Sequence, residues 1–67
     1  MPYVNIKITK DGVTQQQKEQ LIKGVTQVLT EVLGKHPKST YVVIDEVELG
    51  NWGAGGESLE SLLNRKN

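Results

Sequence analysis

The 67-residue sequence contains no cysteine. Disulfides and thiolate metal sites, the usual staples of so small a chain, are therefore excluded. His36 is the only histidine, which leaves no second imidazole for a zinc site. Phenylalanine is absent, so the aromatic side chains are Tyr3, Tyr41 and Trp52, and Arg65 is the only arginine. Neither sign of charge predominates: eight basic and eight acidic residues give a formal net charge of zero. Nothing in that balance points to electrostatic capture of nucleic acid or of an anionic membrane. No run is long and apolar enough to span a bilayer, and the amino terminus lacks a signal-peptide pattern. The expectation is a cytoplasmic protein with no nucleic acid or membrane partner.

A chain of this length forms one domain, taken as residues 1–67, and buries only about 60% of its unfolded surface. With disulfides and metal excluded, association of subunits is the remaining common remedy.

What is present alternates. Val4, Ile6 and Ile8 share one face of a strand whose other face carries Tyr3, Asn5, Lys7 and Thr9. Gly12 supplies a turn, and Thr14 to Gln17 reads as a capping box that opens a helix. Leu21, Ile22, Val25, Val28, Leu29, Val32 and Leu33 follow at helical spacing, predicting a single apolar stripe. Gly34 is placed to stop the helix, and Pro37 prevents its continuation. Gly24, inside the helix, costs about 1 kcal/mol against alanine; a close helix–sheet contact would account for it. Tyr41-Val42-Val43-Ile44, continuing through Val47, predicts a second, well-buried strand. Strand, helix and strand in this order imply parallel pairing through a crossover. A sheet of only two strands is marginal alone, so its neighbours are expected from other subunits. Leu59, Leu62 and Leu63 suggest a short helical turn or an extended arm, and Arg65 to Asn67 a loose tail.

Two stretches carry candidate chemistry. Pro2 directly precedes the first strand. Removal of Met1, usual when a small residue follows it, converts Pro2 from a tertiary amide into a free secondary amine at a strand end. Such an amine is a candidate general base, the more so when desolvation or a nearby cation disfavours its ammonium form. The second stretch is Gly50-Asn51-Trp52-Gly53-Ala54-Gly55-Gly56. It lacks both the phosphate-loop Gly-Lys-Ser/Thr and the dinucleotide spacing. Trp52 reads equally as packing across a subunit contact or as the wall of a pocket.

Taken together, Pro2 before a strand, Gln17-Lys18-Glu19-Gln20-Leu21-Ile22, Val43-Ile44-Asp45-Glu46-Val47 and Asn51-Trp52-Gly53-Ala54-Gly55-Gly56-Glu57 resemble the 4-oxalocrotonate tautomerase family over nearly the whole chain. The resemblance implies an α/β (α+β) fold: a β-α-β unit with parallel strands and a C-terminal glycine-rich loop or hairpin. It further implies a dimer forming a four-stranded sheet and a homohexamer built as a trimer of dimers. The implied activity is isomerisation: Pro2 acts as general base in keto–enol or dienol proton transfer on a small unsaturated 2-hydroxy or 2-keto carboxylate. No cofactor and no metal are implied. Trp52 matches an aromatic pocket residue in type. The family's two carboxylate-binding arginines are replaced here by Val13 and Tyr41, so a bidentate carboxylate grip is missing. Lys10 or Lys38 as a point charge, and the Tyr41 hydroxyl, are the candidate substitutes for substrate binding. Two alternatives remain open: a related hydratase or dehalogenase using Asp45 or Glu46 to activate water, and a non-catalytic oligomeric scaffold.

Overall fold

The structure, a computed structural model, describes residues 1–64; the tail from Arg65 onward lies outside the described residues. Strand β1 runs Tyr3–Thr9 and strand β2 runs Tyr41–Val47. They pair in parallel, in register from Tyr3 opposite Tyr41 to Thr9 opposite Val47. Between them, helix α1 spans Gln15–Leu33. The element order is thus the expected β-α-β unit.

Local chemistry sets the helix limits. The Thr14 hydroxyl accepts from the Gln17 N–H at 3.1 Å, and the Gln17 side chain accepts from the Thr14 N–H at 2.9 Å, completing the capping box. At the other end Gly34 adopts the left-handed conformation, φ 69° and ψ 23°, and its N–H donates to the Thr30 carbonyl. Pro37 then opens a 3-10 turn, Pro37–Ser39, whose Lys38 N–H donates to His36 Nδ1 at 3.2 Å. The lone histidine is engaged as a cap.

The helix meets the sheet chiefly over β2. Across that contact Lys18 Nζ lies 2.6 Å from Glu46 Oε2, with both side chains about three-quarters shielded from water. Losing Lys18 would leave a largely shielded carboxylate without its partner, a cost of about 1–3 kcal/mol.

The expected single stripe divides. Val25 and Leu29 are half-buried, whereas Val28, Val32 and Leu33 are 55%, 73% and 59% exposed. Two strands are too narrow to cover so broad an apolar surface. β2 is likewise only partly shielded, and no described residue is fully buried. The chain is elongated, 48 × 25 × 15 Å with a radius of gyration of 15.7 Å, against roughly 11 Å for a compact domain of this length. The expected close contact at Gly24 is also absent: a Cβ built there meets nothing within 4 Å.

After β2 a 3-10 turn, Leu49–Asn51, leads into the hairpin of β3, Gly53–Ala54, and β4, Glu57–Ser58. The two loop residues Gly55 and Gly56 have φ of 62° and 85°, the mirror-image turn that suits a two-residue hairpin. Leu59–Asn64 forms helix α2, which resolves the choice between helix and arm. None of the described helices is long and apolar enough to cross a membrane.

Candidate active site

Pro2 stands one residue before β1, and its carbonyl accepts from the Tyr41 N–H at 3.0 Å. The ladder between the strands therefore extends through Pro2, and its ring is held at the sheet end. Beside it lies an open concavity of about 300 Å³ lined by Met1, Pro2, Tyr3, Tyr41 and Val43. No charged side chain is among these lining residues. Tyr3 and Tyr41 are the lining residues whose side chains carry a polar group.

Of the residues singled out from the sequence, Pro2 and Tyr41 are brought together here. Trp52 is at the other end of the sheet. Its indole Nε1–H donates to the Val47 carbonyl at 3.2 Å, and the same carbonyl accepts from the Lys10 N–H at 3.0 Å. Val47 is six register steps from Tyr41, about 20 Å along a strand. Lys10 shares that far end, with its Nζ 3.3 Å from Glu48 Oε2, and the two line a smaller concavity with Leu49, Gly50 and Glu60. Lys38 lies on the turn that precedes Tyr41, on the Pro2 side of the molecule. Val13, where the resemblance expects an arginine, lines a wider depression between the end of β1 and the start of α1.

Asp45 and Glu46 are both already engaged. Glu46 pairs with Lys18. Asp45 Oδ2 accepts from Asn5 Nδ2 and from Lys7 Nζ, each at 2.9 Å. The Asn5 hydrogen bond first, and then the bond and charge of Lys7, hold the Asp45 carboxyl below the usual aspartate range. A carboxylate so held is a poor acceptor for a proton from water, which weighs against a hydrating role. Among the described residues no group of three or more His, Asp or Glu side chains is placed to hold a metal.

Tyr3 is the lining residue that sequence reading overlooked. The signal was available in the register, because a tyrosine opens each strand and parallel pairing sets the two side by side.

Comparison with known proteins identifies the family. The tautomerase family pattern, described as tautomerase enzyme, matches residues 2–62. A probable tautomerase of Dickeya dadantii is 68% identical over 59 residues, covering 88% of each chain. The crystal structure of DmpI from Helicobacter pylori superposes with a TM-score of 0.85 at 43% identity, covering 97% of this chain and 100% of that one. A 4-oxalocrotonate tautomerase isozyme structure from Methylibium petroleiphilum gives a TM-score of 0.78 at 36% identity over 91% of this chain and 97% of that one. With its β-α-β unit, its glycine-rich hairpin and a sequence match that runs from Pro2 into α2, the chain belongs to the tautomerase family of isomerases.

Proposed function

We propose that Pro2, freed of Met1, is the general base of a tautomerase acting on a small unsaturated 2-hydroxy or 2-keto carboxylate. The observation that carries this reading is the placement of Pro2: fixed at the sheet end by the Tyr41 N–H, beside a concavity whose lining is almost wholly apolar. An apolar wall disfavours the ammonium form and keeps the nitrogen available as an acceptor. The neutral nitrogen takes the proton of the enol hydroxyl. The O–H electron pair becomes the second bond of the ketone, and the displaced C=C pair receives the same proton from the prolinium at carbon. In the reverse direction the base takes the proton from the carbon beside the 2-keto group. Atoms and electrons balance with no cofactor.

A site of this kind is completed by further copies of the chain. In one copy Pro2 and Trp52 stand about 20 Å apart along the strand direction, so a wall supplied by Trp52 comes from a neighbour. The exposed Val28, Val32 and Leu33 and the two-stranded sheet favour a dimer with a four-stranded sheet, assembled further as a trimer of dimers. Of the 4-oxalocrotonate tautomerases compared, the one from Chloroflexus aurantiacus is a heterohexamer. Tyr41 lines the site from the same chain as Pro2, and Lys38 is the point charge on that side. Lys10 reaches the site only with Trp52, from a neighbour.

The test is Pro2→Ala in a Met1-free preparation, assayed by ketonisation of the phenylpyruvate enol. A fall in kcat/KM of about 10²–10⁴-fold is expected; equal rates contradict the reading.

A further inference from the structure

The chain beyond β2 packs chiefly on itself: the 3-10 turn Leu49–Asn51, the hairpin and α2 make their main contacts with one another. Trp52 belongs to this arm by its backbone, since its N–H donates to the Leu49 carbonyl at 3.2 Å and its carbonyl accepts from the Leu59 N–H at 2.8 Å. Its side chain ties the arm to the sheet, the indole Nε1–H donating to the Val47 carbonyl at 3.2 Å. The last residue of β2 is therefore the point from which the indole is held. Immediately before it stands Glu46, whose Oε2 is 2.6 Å from Nζ of Lys18 in the first turn of α1.

Exposure separates this ion pair from its fellows. The side chains of Lys7–Asp45 and Lys10–Glu48 are all at least 44% exposed, so solvent screens them and they fix little. Those of Lys18 and Glu46 are 25% and 24% exposed, and the bond between them is charge-assisted. We infer that Lys18 and Glu46 are positioning residues for the Pro2 reaction: by clamping the end of β2 to the start of α1 they set where Val47, and through it the Trp52 indole, stands. Without the clamp the strand end is left to the β1 ladder, where the Lys10 N–H donates to the same Val47 carbonyl. A displaced wall lowers the rate because the reacting atoms lose their alignment. This inference rests on the reading of Trp52 as a wall of a neighbour's Pro2 site.

The experiment uses the Met1-free protein, in which Trp52 is the only tryptophan and the emission reports its indole alone. Lys18→Met is expected to move that emission to longer wavelength, as the indole meets more water, and to lower kcat/KM on the phenylpyruvate enol about tenfold. Lys18→Arg, which keeps the charge and the reach, should stay within about twofold of the unaltered chain. In a Trp52→Ala background Lys18→Met should lower the rate almost no further, because residues that act through one another are not additive. Should Lys18→Met fail to fold, Glu46→Gln, which keeps the shape but not the charge, is expected to give smaller changes of the same sign. A folded variant with unchanged kcat/KM overturns the inference whatever its emission, as does a loss of rate without a change in emission, or one that persists in full when Trp52 is absent. Trp52→Ala as active as the unaltered chain removes Trp52 from the site and this inference with it, while the Pro2 reading stands. Turnover that survives Pro2→Ala overturns the base assignment and the positioning role together.

Discussion

Pro2 and Trp52 occupy opposite ends of one two-stranded sheet: the Pro2 carbonyl is held by the Tyr41 N–H, and the Trp52 indole by the Val47 carbonyl six register steps away. If both serve one site, that site draws them from different chains. Pro2→Ala and Trp52→Ala, each impaired alone, are then expected to complement when unfolded together and reassembled, because some mixed sites recover both native residues. Activity of the mixture no higher than the sum of the two separate proteins contradicts a shared site.

A chain with no fully buried residue among those described and an outward Val32, 73% exposed, is expected to owe its stability to association. Its melting temperature is expected to rise with protein concentration, as mass action requires of a fold tied to its oligomer. Val32→Asp should lower both the melting temperature and the sedimentation coefficient. A melting temperature independent of concentration, with Val32→Asp unchanged in both measures, would show the monomer to be self-sufficient.

Two glycines of the helix region should respond to alanine with opposite signs. At Gly24 the added methyl meets nothing within 4 Å, so Gly24→Ala is expected to stabilise by about 1 kcal/mol through helix propensity. At Gly34 the backbone has φ 69°, so Gly34→Ala is expected to destabilise by about 1 kcal/mol or more. Denaturant titration of both variants measures the two shifts. Destabilisation at Gly24 would place that helix face against a neighbouring subunit.

Asp45 gives the acid limb of stability a sign. Its folded-state pKa lies below the ordinary aspartate value because Asn5 and Lys7 stabilise the ionised form. Its contribution is therefore complete above the unfolded value, about pH 3.9, and is lost as the pH falls through the lower folded value. Asp45→Asn is expected to flatten the decline of the melting temperature with falling pH in the range below about pH 4. A decline just as steep in the variant removes Asp45 as its source.

Local signals made most of the fold legible in the sequence. Alternation around Val4, Ile6 and Ile8 marks β1, the Thr14–Gln17 box and Gly34 mark the limits of α1, and the run from Tyr41 marks β2, because each depends on neighbours within a few residues. The division of the apolar stripe between Val25 and Leu29 on one side and Val28 and Val32 on the other was not legible. How much of a helix is covered depends on the width of the sheet beneath it, and periodicity does not encode that width. The same holds for the site. Pro2 and Tyr41 could be named from the sequence, but the separation of Trp52 and Lys10 from Pro2 follows from strand register, and so does the place of Tyr3 beside Tyr41.

The central claim, a proton carried by the Pro2 nitrogen, is tested most directly by two synthetic chains that differ only in Met1. With Met1 present the nitrogen is a tertiary amide, and the one other difference around the concavity is the Met1 side chain itself, since Pro2, Tyr3, Tyr41 and Val43 are common to both chains. The account expects the chain beginning at Pro2 to ketonise the phenylpyruvate enol at least about 10²-fold faster than the chain that keeps Met1. Equal rates from the two chains, both assembled, would contradict it.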